Sequence, residues 1–203
     1  MNLPNKLTVS RFFLTALFTA LMLSEQPWTY TLSLLVFIVV MVTDYLDGAI
    51  ARKRNLRTNF GVLMDPLADK VFNCAAFVCF LAIDHHIMGG FGPWAVVVII
   101  SREFLITGLR LLATSQNVIL PADSLGKHKT VWQMITITVI LIGLSLKELI
   151  FGQKIFFKMA YGYREWMMDL VLWCTHATLA ITVALTIYSG TSYLIKNRNL
   201  LRE

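Results

Sequence analysis

The stretch Asp44-Tyr45-Leu46-Asp47-Gly48-Ala49-Ile50-Ala51-Arg52, with Gly61-Val62-Leu63-Met64-Asp65-Pro66-Leu67-Ala68-Asp69 eight residues further on, decides how this chain is read. On a helix, Asp44, Asp47, Gly48 and Ala51 stand at i, i+3, i+4 and i+7, which is a single face. Gly61, Asp65 and Asp69 follow at steps of four and form a second stripe. A short connection over 53–60 makes the two helices antiparallel neighbours, so four carboxylates can converge between them. Asp65 precedes Pro66, which disfavours helical geometry at Asp65; the second helix is expected to begin or kink there.

The surroundings of these carboxylates are apolar. Of 203 residues, 57% are hydrophobic and only 15% charged, too few charges to cover a water-facing surface. Six apolar segments centre on 12–23, 30–43, 71–83, 93–113, 131–146 and 168–189. The expected fold is an all-α polytopic membrane protein of about six transmembrane helices, a single domain over 1–203. A spanning helix needs about 20 residues. Several of these segments are shorter and must borrow polar neighbours: Asp44, Asp47 and Arg52 end the second, Asp65, Asp69 and Lys70 open the third, Arg110 lies near the end of the fourth, and Lys127 and Lys129 open the fifth. Helices alternate direction across a bilayer, so all these polar ends meet on one side. Arg11 and Lys196 join them.

Basic residues crowd that side, including Arg52, Lys53, Arg54, Arg57, Lys127, Lys129, Lys196, Arg198 and Arg202. Excess Lys and Arg mark cytoplasmic loops, so both termini and the polar cluster are expected to face the cytoplasm from a bacterial-type inner membrane. The run 12–23 follows Lys6 and Arg11 without a convincing cleavage site and reads as a retained first span. The aromatic, charged stretch 147–166 is expected along the outer interface. The net charge of +6 suits anionic headgroups, and nucleic acid is not an expected partner. Cys74, Cys79 and Cys174 form no CxxC pair and read as small hydrophobes.

Acidic side chains inside a membrane cost at least about 2.5–3.5 kcal/mol each, and neighbouring carboxylates repel. Hard divalent cations with oxygen ligands remove both penalties. Mg2+ fits carboxylates plus phosphate oxygens, with Mn2+ as a substitute. Two ions about 3.5–4 Å apart would grip the attacking and leaving oxygens of a phosphoryl displacement. Gly48 and Ala51 clear the helix face for a bulky diphosphate. At 1.5 Å per residue, Asp44 lies about 12 Å deeper than Arg52, the depth of a lipid diphosphate.

Asp-x-x-Asp-Gly-x-x-Ala-Arg, eight residues, then Gly-x-x-x-Asp-x-x-x-Asp resembles the signature of the CDP-alcohol phosphotransferases, with every fixed position matched. The resemblance implies six transmembrane helices, usually in a homodimer. It implies that Asp44, Asp47 and Asp65 bind metal, that Asp69 is ligand or base, and that Gly48, Ala51, Arg52 and Gly61 line the CDP site. Leu3-Pro4-Asn5-Lys6-Leu7-Thr8-Val9-Ser10-Arg11 resembles the opening of the family branch that uses sn-glycerol 3-phosphate. There Asn5, Thr8 and Arg11 would reach the nucleotide of CDP-diacylglycerol. The plainer reading is interfacial anchoring and a helix start capped by Asn5 or Thr8.

Arg102-Glu103 through Thr107 to Arg110, and Gly126-Lys127-His128-Lys129-Thr130, resemble the fourth and fifth helices of the same branch. Arg110 and Lys129 would hold an acceptor phosphate, with Lys127 and Arg102 beside them; for Arg102 and Glu103 an internal ion pair remains the alternative. The expected activity is transfer of phosphatidyl from CDP-diacylglycerol to glycerol 3-phosphate among membrane lipids, with release of CMP. Serine, inositol phosphate and phosphatidylglycerol are rival acceptors. A divalent-cation transporter is the rival class, since intramembrane aspartates also mark ion paths. Such a path needs polar groups in both halves of the membrane, and here they crowd one end.

Overall fold

The computed structural model describes residues 3–24, 26–54, 59–83, 85–115, 124–152 and 161–198. Within these ranges, the side chains of 3–7, 45–54, 59–63, 65, 66, 85, 86, 115, 124, 125, 150–152, 161, 162 and 164 lie outside the described set. The described residues form six long helices and one short one: α1 Leu3–Met22, α2 Thr29–Arg54, α3 Asn59–Ile83, α4 His85–Met88, α5 Gly92–Ser115, α6 Ser124–Gly152 and α7 Tyr161–Lys196. Each apolar segment of the sequence is the core of one long helix.

The helices outrun their apolar cores. α2 continues through Arg52, Lys53 and Arg54, where cations suit the negative end of the helix dipole. The connection to α3 is therefore shorter than the sequence suggested, and 55–58 lie outside the described residues. α3 begins at Asn59 and is continuous through Pro66, which corrects the expectation of a start at Asp65. Proline removes a single helical donor, and membrane helices accommodate that loss through their neighbours. Likewise α1 starts at Leu3, so neither Asn5 nor Thr8 caps it; Pro4 falls in the first turn, where a missing N–H costs nothing. Lys147–Gly152 completes α6 and Tyr161–Trp166 opens α7, so helix takes both ends of the stretch expected along an interface.

α1 packs on α2 and α3, α6 on α7 and α2, and α5 on α7 and α3. Phe18, Phe37 and Phe72 meet at the centre of the first group, with ring centroids 5.1 Å apart for Phe18–Phe72 and 5.9 Å for Phe37–Phe72. Gly143 lets α6 and α7 close together, since a Cβ there would collide with Val171. Thr136 and Thr182 hydroxyls bond across the same interface at 2.9 Å.

Large apolar side chains cover the outside. Trp173 is 76% exposed, Phe13 72% and Trp94 70%, a surface that needs lipid rather than water. Gly126–Leu149 and Glu165–Lys196 are each long and apolar enough to cross a bilayer, while Thr8–Met22 and Thr29–Asp44 are apolar but shorter. Charges interrupt α3 and α5, as the borrowing of polar residues requires. The chain is a membrane protein.

Candidate active site

Three helices bring one guanidinium and two carboxylates to a point. Arg11 of α1 is 1% exposed, and its Nη1 donates to Asp44 Oδ1 at 2.7 Å and to Asp69 Oδ1 at 2.5 Å. Thr8 is buried one turn earlier on the same face. The helical periodicity explains the placement: Arg11 and Phe18 are seven apart on α1, Phe37 and Asp44 seven apart on α2, and Asp69 and Phe72 three apart on α3. Each pair shares the inward face of its helix, so the aromatic cluster lies directly beneath the ionic one.

The carboxylates keep 47% and 38% of their side-chain surface open. Two oxygens of separate acids within hydrogen-bonding reach of one cationic nitrogen define a place where positive charge is stabilised. Oxygen donors of this kind suit a hard cation, and Asp44 and Asp69 are two of the four expected metal ligands. Asp47 and Asp65, the other expected ligands, lie on α2 and α3, but their side chains are outside the described set. So are those of Asn5, Gly48, Ala51, Arg52 and Gly61. Among the described residues no three His, Cys, Asp or Glu side chains gather into a metal-sized group.

A second compartment adjoins the first across α3. A cavity of about 440 Å³ opens between α3, α5, α6 and α7, lined by Lys70, Arg102, Arg110, Lys127 and Lys129 with Glu103 as its acid. Arg102, Ile106 and Arg110 recur every four residues on α5, as do Glu103 and Thr107, so one broad face of α5 forms the wall. Glu103 pairs with Lys129 and lies 3.6 Å from Arg102. The Arg102–Glu103 ion pair that the sequence left open is thus present, and Lys129 shares its acid. Arg102 also donates to Ser189 of α7 at 3.2 Å. Its stem passes so close to α7 that a Cβ on Gly190 would lie 3.1 Å from Cγ. Arg110 sits 5.7 Å over the Tyr193 ring and its Nε donates to that hydroxyl at 3.4 Å. Five cations face one carboxylate, and Coulomb's law makes such a cavity a trap for a multiply charged anion.

Lys70 and Tyr193 are among the lining residues to which sequence reasoning gave no site role. Lys70 points into the cavity and donates to Thr107 Oγ1, which in turn donates to the Glu103 carbonyl at 2.6 Å. Its place beside Asp69, ahead of an apolar run, was the available signal. Tyr193 lies in an apolar stretch 83 residues from Arg110, and nothing local marks it.

The family model for CDP-alcohol phosphatidyltransferases matches residues 1–188. The chain belongs to the CDP-alcohol phosphatidyltransferase family. As a member of this family it is a transferase. It is 36% identical to a CDP-diacylglycerol–glycerol-3-phosphate 3-phosphatidyltransferase of Bacillus subtilis, over 99% of this chain and 97% of the relative. A protein of the same description from Rickettsia bellii is 30% identical over 95% of this chain and 93% of its own length. A CMP-forming cardiolipin synthase of rice, Oryza sativa, is 38% identical over 70% of this chain and 46% of the relative. Within the family, then, this chain is similar to members described by two different activities.

Proposed function

We propose that this chain transfers the phosphatidyl group of CDP-diacylglycerol to sn-glycerol 3-phosphate, giving phosphatidylglycerophosphate and CMP. The observation that carries the choice of acceptor is the cavity of five cations that shares α3 with the carboxylate pair. Serine brings no phosphate to such a cavity, whereas glycerol 3-phosphate brings a dianion. The two full-length relatives described by this reaction support the same choice.

In this reading the six long helices span the membrane, and the signature ends of α2 and α3 open to the cytoplasm with both termini. The basic residues at those ends support that orientation, and the chain acts as a homodimer. Asp44, Asp47, Asp65 and Asp69 hold two divalent ions, Mg2+ or Mn2+. When bound, these ions supply charge neutralisation of the donor diphosphate and of the departing CMP. Asn5, Thr8, Arg11, Gly48, Ala51, Arg52 and Gly61 bind the cytidine diphosphate. Arg110 and Lys129, with Lys127 and Arg102, hold the acceptor phosphate. A hydroxyl oxygen of the acceptor attacks the phosphatidyl phosphorus, the bond to the CMP oxygen breaks, and the hydroxyl proton passes to Asp69. Positioning two anions against fixed cations supplies much of the rate.

The test is an assay of the purified full-length protein with CDP-diacylglycerol and a panel of acceptors, read by product mass. Phosphatidylglycerophosphate should be the main product. Cardiolipin formed from phosphatidylglycerol, or a serine or inositol phosphate product in its place, overturns the acceptor assignment.

A further inference from the structure

Resting on that reading, we infer that Lys70 is a specificity-determining residue that grips the acceptor phosphate while its neighbour Asp69 meets the acceptor hydroxyl. Consecutive residues on a helix point about 100° apart, and one turn of α3 uses this to serve both compartments. Asp69 turns toward α1 and bonds Arg11 at 2.5 Å. Lys70 turns toward α5, bonds the Thr107 hydroxyl, and lines the cationic cavity.

Two observations make Lys70 a ligand-binding cation rather than a structural one. Its described partner is a neutral hydroxyl, and an ammonium carries three donors. Among the described residues no carboxylate pairs with it, whereas Lys129 across the same cavity has Glu103. Arg102 and Arg110 line the same cavity, so a phosphate placed there meets several cations at once. An acceptor that reaches both side chains must carry a hydroxyl and a phosphate on one skeleton, as glycerol 3-phosphate does.

The experiment measures steady-state kinetics of the full-length enzyme in lipid nanodiscs containing CDP-diacylglycerol, comparing wild type with Lys70→Met and Lys70→Arg. Lys70→Met should raise KM for glycerol 3-phosphate roughly ten- to a hundredfold, the factor of one lost charge-assisted hydrogen bond. KM for CDP-diacylglycerol should stay within about threefold, because uniform binding to the donor is untouched. Lys70→Arg should recover most of the acceptor affinity. An unchanged KM for glycerol 3-phosphate in Lys70→Met overturns the inference. So does a parallel loss of affinity for both substrates that arginine does not restore, the pattern of a structural lysine. A wild-type enzyme without turnover of glycerol 3-phosphate overturns the functional reading and this inference together.

Discussion

Arg11 carries an unusual share of the site, because one buried nitrogen neutralises two acids that come from different helices. Asp44 and Asp69 are half open, so losing the buried guanidinium costs less than the roughly 3–5 kcal/mol of a fully buried pair, but it leaves the two acids repelling each other. Arg11→Gln should therefore lower the melting temperature by several degrees in chelator, and millimolar Mg2+ should restore part of the loss; equal destabilisation with and without metal contradicts a cation site between these acids. Arg110 and Lys129 differ in a measurable way. Arg110→Ala removes an exposed guanidinium and should raise KM for glycerol 3-phosphate about ten- to a hundredfold with little effect on melting. Lys129→Ala should do the same and also lower the melting point, because Glu103 loses its closest partner. The meeting of Asp44 and Asp69 was legible in the sequence, since a spacing of three and four on apolar helices has few other uses; Asp47 and Asp65 lie outside the described side chains. Lys70 and Tyr193 were harder to see: their roles depend on how α3 and α7 turn about α5, and that is set by packing.

At the scale of helices, the sequence marked six apolar cores but not their ends. Hydrophobicity stops where the lipid stops, whereas the backbone ladder continues until a breaker intervenes. That is why α2 runs on through three basic residues, and why Pro66 failed to mark the start of α3. The four-residue α4 was invisible, being too short to show a period. One helix end is held by a residue far away in sequence. Glu148 of α6 accepts from the backbone N–H groups of Tyr30 and Thr31 at 3.3 and 2.9 Å and from the Thr31 hydroxyl at 2.7 Å, capping α2 at the end remote from Asp44. Glu148→Ala should lower stability by about 1–2 kcal/mol, the worth of an N-terminal cap, while kcat of the folded fraction stays near wild type. A fall in kcat with unchanged melting would show that the two ends of α2 are coupled.

For the molecule as a whole, the orientation proposed from its charges is open to direct measurement. With Cys74, Cys79 and Cys174 replaced by alanine, single cysteines at Gly90 and Arg198 should react with an impermeant maleimide from opposite sides of sealed vesicles. Arg198→Cys should label from the cytoplasmic side and Gly90→Cys from the external side. The reverse pattern would turn the carboxylates outward, away from where cytidine nucleotides are made available. The side is proposed from loop charge, a one-dimensional property that the sequence carries by itself. The pairing of helices was not legible there, since apolar faces of similar composition can pack in many ways.

The ring cluster of Phe18, Phe37 and Phe72 beneath the ionic group has a consequence for the membrane rather than for the reaction. An energised bilayer acts on each elementary charge with about 2.3 kcal/mol per 100 mV. A hydrated acidic vestibule at one face of such a bilayer is half of a conducting path. Close-packed aromatic carbon offers a cation no oxygen to replace its water, so in the proposed orientation these rings would end the path. Phe37→Ala combined with Phe72→Ala should let protons leak through reconstituted liposomes under an imposed potential, read with an internal pH dye. Tight liposomes would place the insulating layer elsewhere in the bundle.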